Sequence, residues 1–295
     1  MQSYMPGWAI SGISIGLLTA LPAAAAPFFF STGDPDGRIA TASRPDSAGK
    51  IEIESADDFV LTGAGHITSA TFTGLLTGGA SLANVGNVRV EIYSVFPNNS
   101  DVGRTTGPPD FSTPRVPTRV NSPSDAAIQE RDVAGGNLSF SIATLAASFT
   151  AANSVLNGIN PKPGQTTGGD GPVTGTEVQF TTNFTTPFDL QPGHYFFVPQ
   201  VEVTTASGEF FWLSAPRPIV PPGTPFPAGF TDLQSWIRNE DLAPDWLRIG
   251  TDIVGGTTFN ATFSLTGTIP EPASIGILGA ALSVMAAAGL RRRRS

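Results

Sequence analysis

Cysteine is absent from all 295 residues, which excludes disulfides, thiolate nucleophiles and thiolate metal sites. That absence does not argue for the cytosol, because exported bacterial folds also manage without disulfides. It leaves core burial alone to hold the fold. Histidine occurs only twice, at His66 and His194. Neither belongs to a zinc-binding HExxH pair, and there is no Walker phosphate loop and no nucleophile elbow set between a strand and a helix. Charge is scarce as well, at 14% of residues, and unevenly placed. With the C-terminal arginines and Glu271 set aside, residues 26–269 carry 12 basic and 23 acidic side chains, a net of −11. So acidic a body repels phosphate backbones, and nucleic acid is not an expected partner.

Glycine and proline, by contrast, are abundant, at 33 and 26 residues, and they break long helices. Between them lie short runs rich in Thr, Val, Phe and Ile, which suit a pleated, half-buried surface. Strands are expected at 50–55, 58–62, 66–76, 87–96, 137–145, 177–184, 194–203, 209–214 and 257–268. In NVRVEIYSVF, Val88, Val90, Ile92 and Ser94 share one face against Arg89, Glu91, Tyr93 and Val95. Many short strands without a long amphipathic helix predict an all-β body, a β-sandwich or jelly roll, over residues 26–269. Residues 97–136 and 159–175 read as long loops, and Asp232 is placed to cap a short helix through DLQSWIRNEDL.

The two ends have a different character. Residues 1–25 carry no charge, and an apolar run ends in small residues, with Ala23 and Ala25 at the −3 and −1 positions of a secretory cleavage site. The opening MQSYMPGW lacks the usual Lys or Arg. At the other end, residues 274–290 form a 17-residue uncharged stretch. As a helix it spans about 26 Å, the lower limit for a transmembrane segment. Arg291, Arg292, Arg293 and Arg294 follow and are expected to stay cytoplasmic, which leaves the body on the far side of the inner membrane.

Residues 270–295, with Pro270, Glu271 and Pro272, then the apolar stretch, then the arginine cluster, resemble the PEP-CTERM sorting signal. The resemblance covers about 26 residues. It implies recognition and processing by exosortase, a membrane transpeptidase of bacteria that make exopolysaccharide. The body is similar to exported proteins with the same tail, for which no activity is implied.

Poverty in catalytic residues points to a non-enzymatic, exported surface or matrix component that reaches its place through the secretion machinery. Two other readings stand beside it. Trp212, Trp236 and Trp246, with Tyr195, would stack on sugar rings if they shared an exposed face, making a polysaccharide-binding module. A secreted hydrolase would need two carboxylates facing each other, with Glu202, Glu209, Glu240, Asp241 and Asp245 as candidates. No cofactor is expected; Asp34, Asp36, Asp57 and Asp58 are the candidate Ca2+ ligands, since hard cations take oxygen donors.

Overall fold

The computed structural model describes residues 25–47, 49–104, 119–159, 166–230 and 233–270. Strands dominate them. In chain order they are β1 (Ala26–Ser31), β2 (Ile39–Ala42), β3 (Ile53–Leu61), β4 (Gly65–Leu76) and β5 (Val85–Val95). Then come β6 (Pro123–Asp132), β7 (Leu138–Ala151), β8 (Asn153–Val155), β9 (Val173–Leu190) and β10 (Gly193–Val203). The last five are β11 (Phe210–Ala215), β12 (Trp236–Asn239), β13 (Leu247–Arg248), β14 (Asn260–Ala261) and β15 (Phe263–Ile269).

Two sheets result. One runs β1–β15–β4–β11–β2–β8, with β9 also on β4, β7 on β9 and β14 on β11; the other runs β13–β12–β3–β10–β5–β6. Alternation explains how they meet. Val88, Val90 and Ile92 of β5 join Phe59, Phe197 and Val201 on one face of the smaller sheet and bury against Phe72, Phe180, Phe188 and Leu265 of the larger. Aromatic rings carry the contact: Phe197 stacks on Phe263 at 5.0 Å and lies 6.3 Å from Phe72. Gly74 is required where β11 crosses β4, because a Cβ there would lie 2.4 Å from the Phe211 carbonyl oxygen. The all-β, sandwich-like body expected from the sequence is therefore what the described residues form.

Its compact unit is Ala26–Ile269, and these two end residues are partners in the β1–β15 ladder. First and last strands thus zip together along Ala26↔Ile269 through Ser31↔Ser264. Pro270, just outside, is exposed.

Three local expectations need correction. The runs at 50–55 and 58–62 are parts of the single strand β3, since ESADD continues its ladder with β12 and β10 instead of breaking it. The long loop at 97–136 contains β6, whose Pro123, Asp125, Glu130, Arg131 and Asp132 disguise it as loop; bulges in its pairing with β5 and its edge position let it carry them. Finally, residues 233–242 hold no helix. Trp236–Asn239 is strand, because its pairing with β3 sends Trp236 and Arg238 to one face and Ile237 into a separate apolar cluster. Asp232 lies outside the described residues.

Candidate functional site

Most of the distinctive side chains converge on the outer face of the smaller sheet. β-Pairing sets Arg238 opposite Glu54 and Trp236 opposite Ala56, Tyr93 opposite Phe196, and Glu91 opposite Val198. Such a face normally meets water. Here the segments around 119–125 and 239–246 lie over it, and Tyr93, Phe196, Val198, Trp236 and Trp246 pack as a second small cluster beneath them.

A charge network is sealed in with that cluster. The Arg238 guanidinium is paired with Glu54, donates to the Tyr93 hydroxyl at 2.8 Å and to the Asp125 carbonyl at 2.9 Å, and lies 4.3 Å from the Trp246 ring centre. Tyr93 donates to Glu54 Oε1 at 2.6 Å, with Glu91 Oε2 at 3.4 Å. Glu91 is only 7% exposed. Burial, then the nearby charge of Glu54, pushes its carboxyl up to about 9, so it holds its proton at neutral pH. Burial and Glu54 also raise Tyr93 and Glu52. Burial opposes the charge of Arg238, but Glu54, Tyr93 and Glu91 outweigh it and raise its pKa. Next to this group, the fully buried Arg119 donates to Asp245 and Asp125, at 2.8 Å each, and to Ser122 Oγ at 2.9 Å. The Trp246 indole donates to the Ser124 carbonyl at 3.0 Å. Arg238 ties β12 to β3 and β5 and, through the Asp125 carbonyl and the Trp246 ring, to the covering segments, which Arg119 and Trp246 tie to one another.

The three tryptophans therefore form no exposed platform. Trp212 is 1% exposed and Trp236 and Trp246 are 0%. Trp212 lies in the main core, with its indole N–H given to the Thr262 carbonyl at 2.8 Å. Stacking of sugars on these rings is ruled out by burial, because large aromatics were needed to fill both layers.

Nor do the hydrolase candidates assemble. Glu209 is paired with Arg44 at 2.7 Å and Lys50 at 3.4 Å, Asp245 with Arg119, and Glu202 accepts the Asn87 backbone N–H at 2.9 Å. The carboxylates that do cluster, Glu52, Glu54 and Glu91, lie on β5 or beside and within β3, and the last two are walled off from solvent.

Asp57 and Asp58 are neighbours in β3, and strand geometry points them to opposite faces. Asp57 accepts from the Ala261 N–H at 2.8 Å and Ser235 Oγ at 3.1 Å, whereas Asp58 faces His194. Burial raises the pKa of both, Asp57 well above the usual carboxylate value. Asp34 is exposed, and Asp36 is taken up by the Arg38 N–H and the Ser214 hydroxyl. Among the described residues no group of three or more His, Asp or Glu side chains is arranged to hold a metal ion.

His194 meets an opening. Its Nε2 lies 3.2 Å from Asp58, which is fully buried, and its ring borders a groove of about 510 Å³ lined also by Ser94, Asn98, Asn99 and Tyr195. A histidine held by a buried carboxylate is half of a general-base arrangement. The other half is missing among the described residues: no hydroxyl hydrogen-bonds either histidine, and Ser94 Oγ is directed to Asn99 at 3.1 Å. His66 pairs with Asp189 on the surface.

No family model matches the chain, and no curated protein matches it. Ala25 and Pro270 are both exposed. Ala23, Glu271, Pro272, residues 274–290 and Arg291 to Arg294 lie outside the described residues, within which no helix is long and apolar enough to cross a membrane.

Proposed function

We propose that this chain is an exported, non-enzymatic surface or matrix protein, secreted by its N-terminal signal and sorted through a PEP-CTERM tail by an exosortase system linked to exopolysaccharide production. A jelly-roll-like body, a signal helix and a C-terminal transmembrane helix complete the reading. The observation that carries it is where the fold stops. Ala26 and Ile269 are the first and last residues of the compact unit and face each other in one ladder. A cut after Ala25, and another near Pro270–Glu271–Pro272, would remove none of the described strands and none of the described core residues. Buried, mutually satisfied charges and buried tryptophans support a structural role for the body over a catalytic one.

The test is a tail substitution. Glu271→Ala in an exosortase-containing host is expected to hold the protein in the membrane fraction at full length, while the unaltered protein reaches the surface or medium. Equal distribution of the two would defeat the sorting assignment.

A polysaccharide-binding module remains the second reading, now resting on the His194 groove, where two exposed amides and one aromatic ring line a cleft of ligand size. Asn98→Ala, exposed and outside both cores, is expected to lower retention on immobilised exopolysaccharide; unchanged retention would remove this reading.

A further inference from the structure

Sheet edges are templates for another strand unless something blocks them. Most edges here are blocked. β6 carries Pro123 and four charged residues and has two register shifts in its pairing with β5, and its Arg131 and Gln129 side chains bond the carbonyls of Thr186, Pro187 and Asp189 on β9. β13 and β8 are two and three residues long, and β1 has six residues with Pro27 second.

β7 is different. It is 14 residues long, LSFSIATLAASFTA, and β9 is its one ladder partner among the described residues. Leu138–Thr144 pairs with Phe184–Val178 without a bulge. Neither a proline nor a charge falls anywhere in it, and the uncharged stretch reaches from Val133 to Pro161. Its apolar side is unfinished as well: Phe140 and Ile142 lie against the core but stay partly exposed, and Leu145 is 50% exposed.

We propose that the free edge of β7 pairs with β7 of a second copy of this chain, antiparallel over Leu138–Thr144, to continue the larger sheet across a two-fold axis. Charge selects that occupant. The body's net charge of −11 makes two copies repel over most of their surface, and β7 is the long strand where they meet with no like charges opposed. A basic partner would be drawn to the acidic surface elsewhere and gains nothing at a neutral strip. Antiparallel pairing of a strand with itself is self-complementary, as a two-fold interface demands. It keeps Leu138, Phe140 and Ile142 on the core side and Ser139, Ser141 and Ala143 on the outer side of both copies. Seven paired residues would add roughly seven backbone hydrogen bonds.

The lack of cysteine makes the test clean. Full-length protein in mild detergent would receive one cysteine at a time: Ser139→Cys, Ser141→Cys and Ala143→Cys on β7, and Ala206→Cys in an exposed turn as control. Directly opposed Cβ atoms in such a pair lie within about 4.5–5.5 Å, close enough to bridge after small adjustment. The expected result is an oxidised dimer for at least one β7 variant, formed at least tenfold faster than for Ala206→Cys. In parallel, Ser141→Lys, whose side chain is exposed, should keep the far-UV circular dichroism of the folded parent yet sediment as a monomer where the parent chain is a dimer. Equal crosslinking at all four positions, a parent monomer, or a Ser141→Lys dimer as stable as the parent would each overturn the proposal.

Discussion

The two faces of the smaller sheet solve the same burial problem in opposite ways. Its inner face presents Val88, Val90, Ile92 and Phe197 to the larger sheet, and apolar area removed from water does the stabilising. Its outer face presents Glu54, Glu91, Tyr93 and Arg238, which are just as inaccessible because covering segments seal them in. There, desolvation opposes folding and only complete pairing offsets it. One face should therefore tolerate small losses of volume, and the other should not tolerate loss of a single partner.

The largest expected effect follows directly. Arg238→Ala strips Glu54 of its partner inside the protein and should cost about 3–5 kcal/mol in a denaturant titration. A cost under about 1 kcal/mol would mean that water reaches the outer face and that the contrast between faces is wrong.

The next effect is a pH dependence. Burial raises Glu52, Asp57, Asp58 and Glu91 in the fold, Glu91 to about 9. The folded state thus holds protons that the unfolded chain releases near its ordinary carboxylate values. Stability should be greatest in mild acid and decline as pH rises, through about 9 for Glu91, with a slope of up to about 1.4 kcal/mol per pH unit per such proton. Thermal melts from pH 5 to 9 would read this, and Glu91→Gln should flatten the slope. A melting temperature that climbs with pH would contradict the buried protonated carboxyl.

On the inner face Ile92→Val should cost about 0.5–1.5 kcal/mol and leave the pH profile unchanged. Smallest of all, the double change Glu54→Met with Arg238→Met should recover much of what Arg238→Ala loses, because replacing both charges removes the desolvation term. If the double variant is no better than the single one, the network's hydrogen bonds to Tyr93 and Asp125 matter more than its charges.

Periodicity made the inner face legible. Val88, Val90 and Ile92 alternate with Arg89, Glu91 and Tyr93, and the apolar set is the one in the main core. The same alternation misleads about the outer face, since Glu54 and Glu91 read as water-facing. What buries them comes from far along the chain: Arg238 stands 184 residues from Glu54 and 145 from Tyr93. Local pattern carries no trace of such pairing. β6 and β12 are hidden in the sequence for related reasons, one because its edge tolerates charge and proline, the other because capping signals around 232–242 suggest a helix that pairing with β3 overrides. Of the site residues, the burial of Trp236 and Trp246 depends on those same distant covers.

The exported, trimmed state of the protein is the claim on which the functional account stands, and intact-mass measurement of the protein from cell envelope and medium tests it most directly. The account predicts a mature chain that begins at Ala26 and lacks Arg291 to Arg294. A full-length mass retaining those arginines, in a host that contains exosortase, would contradict it.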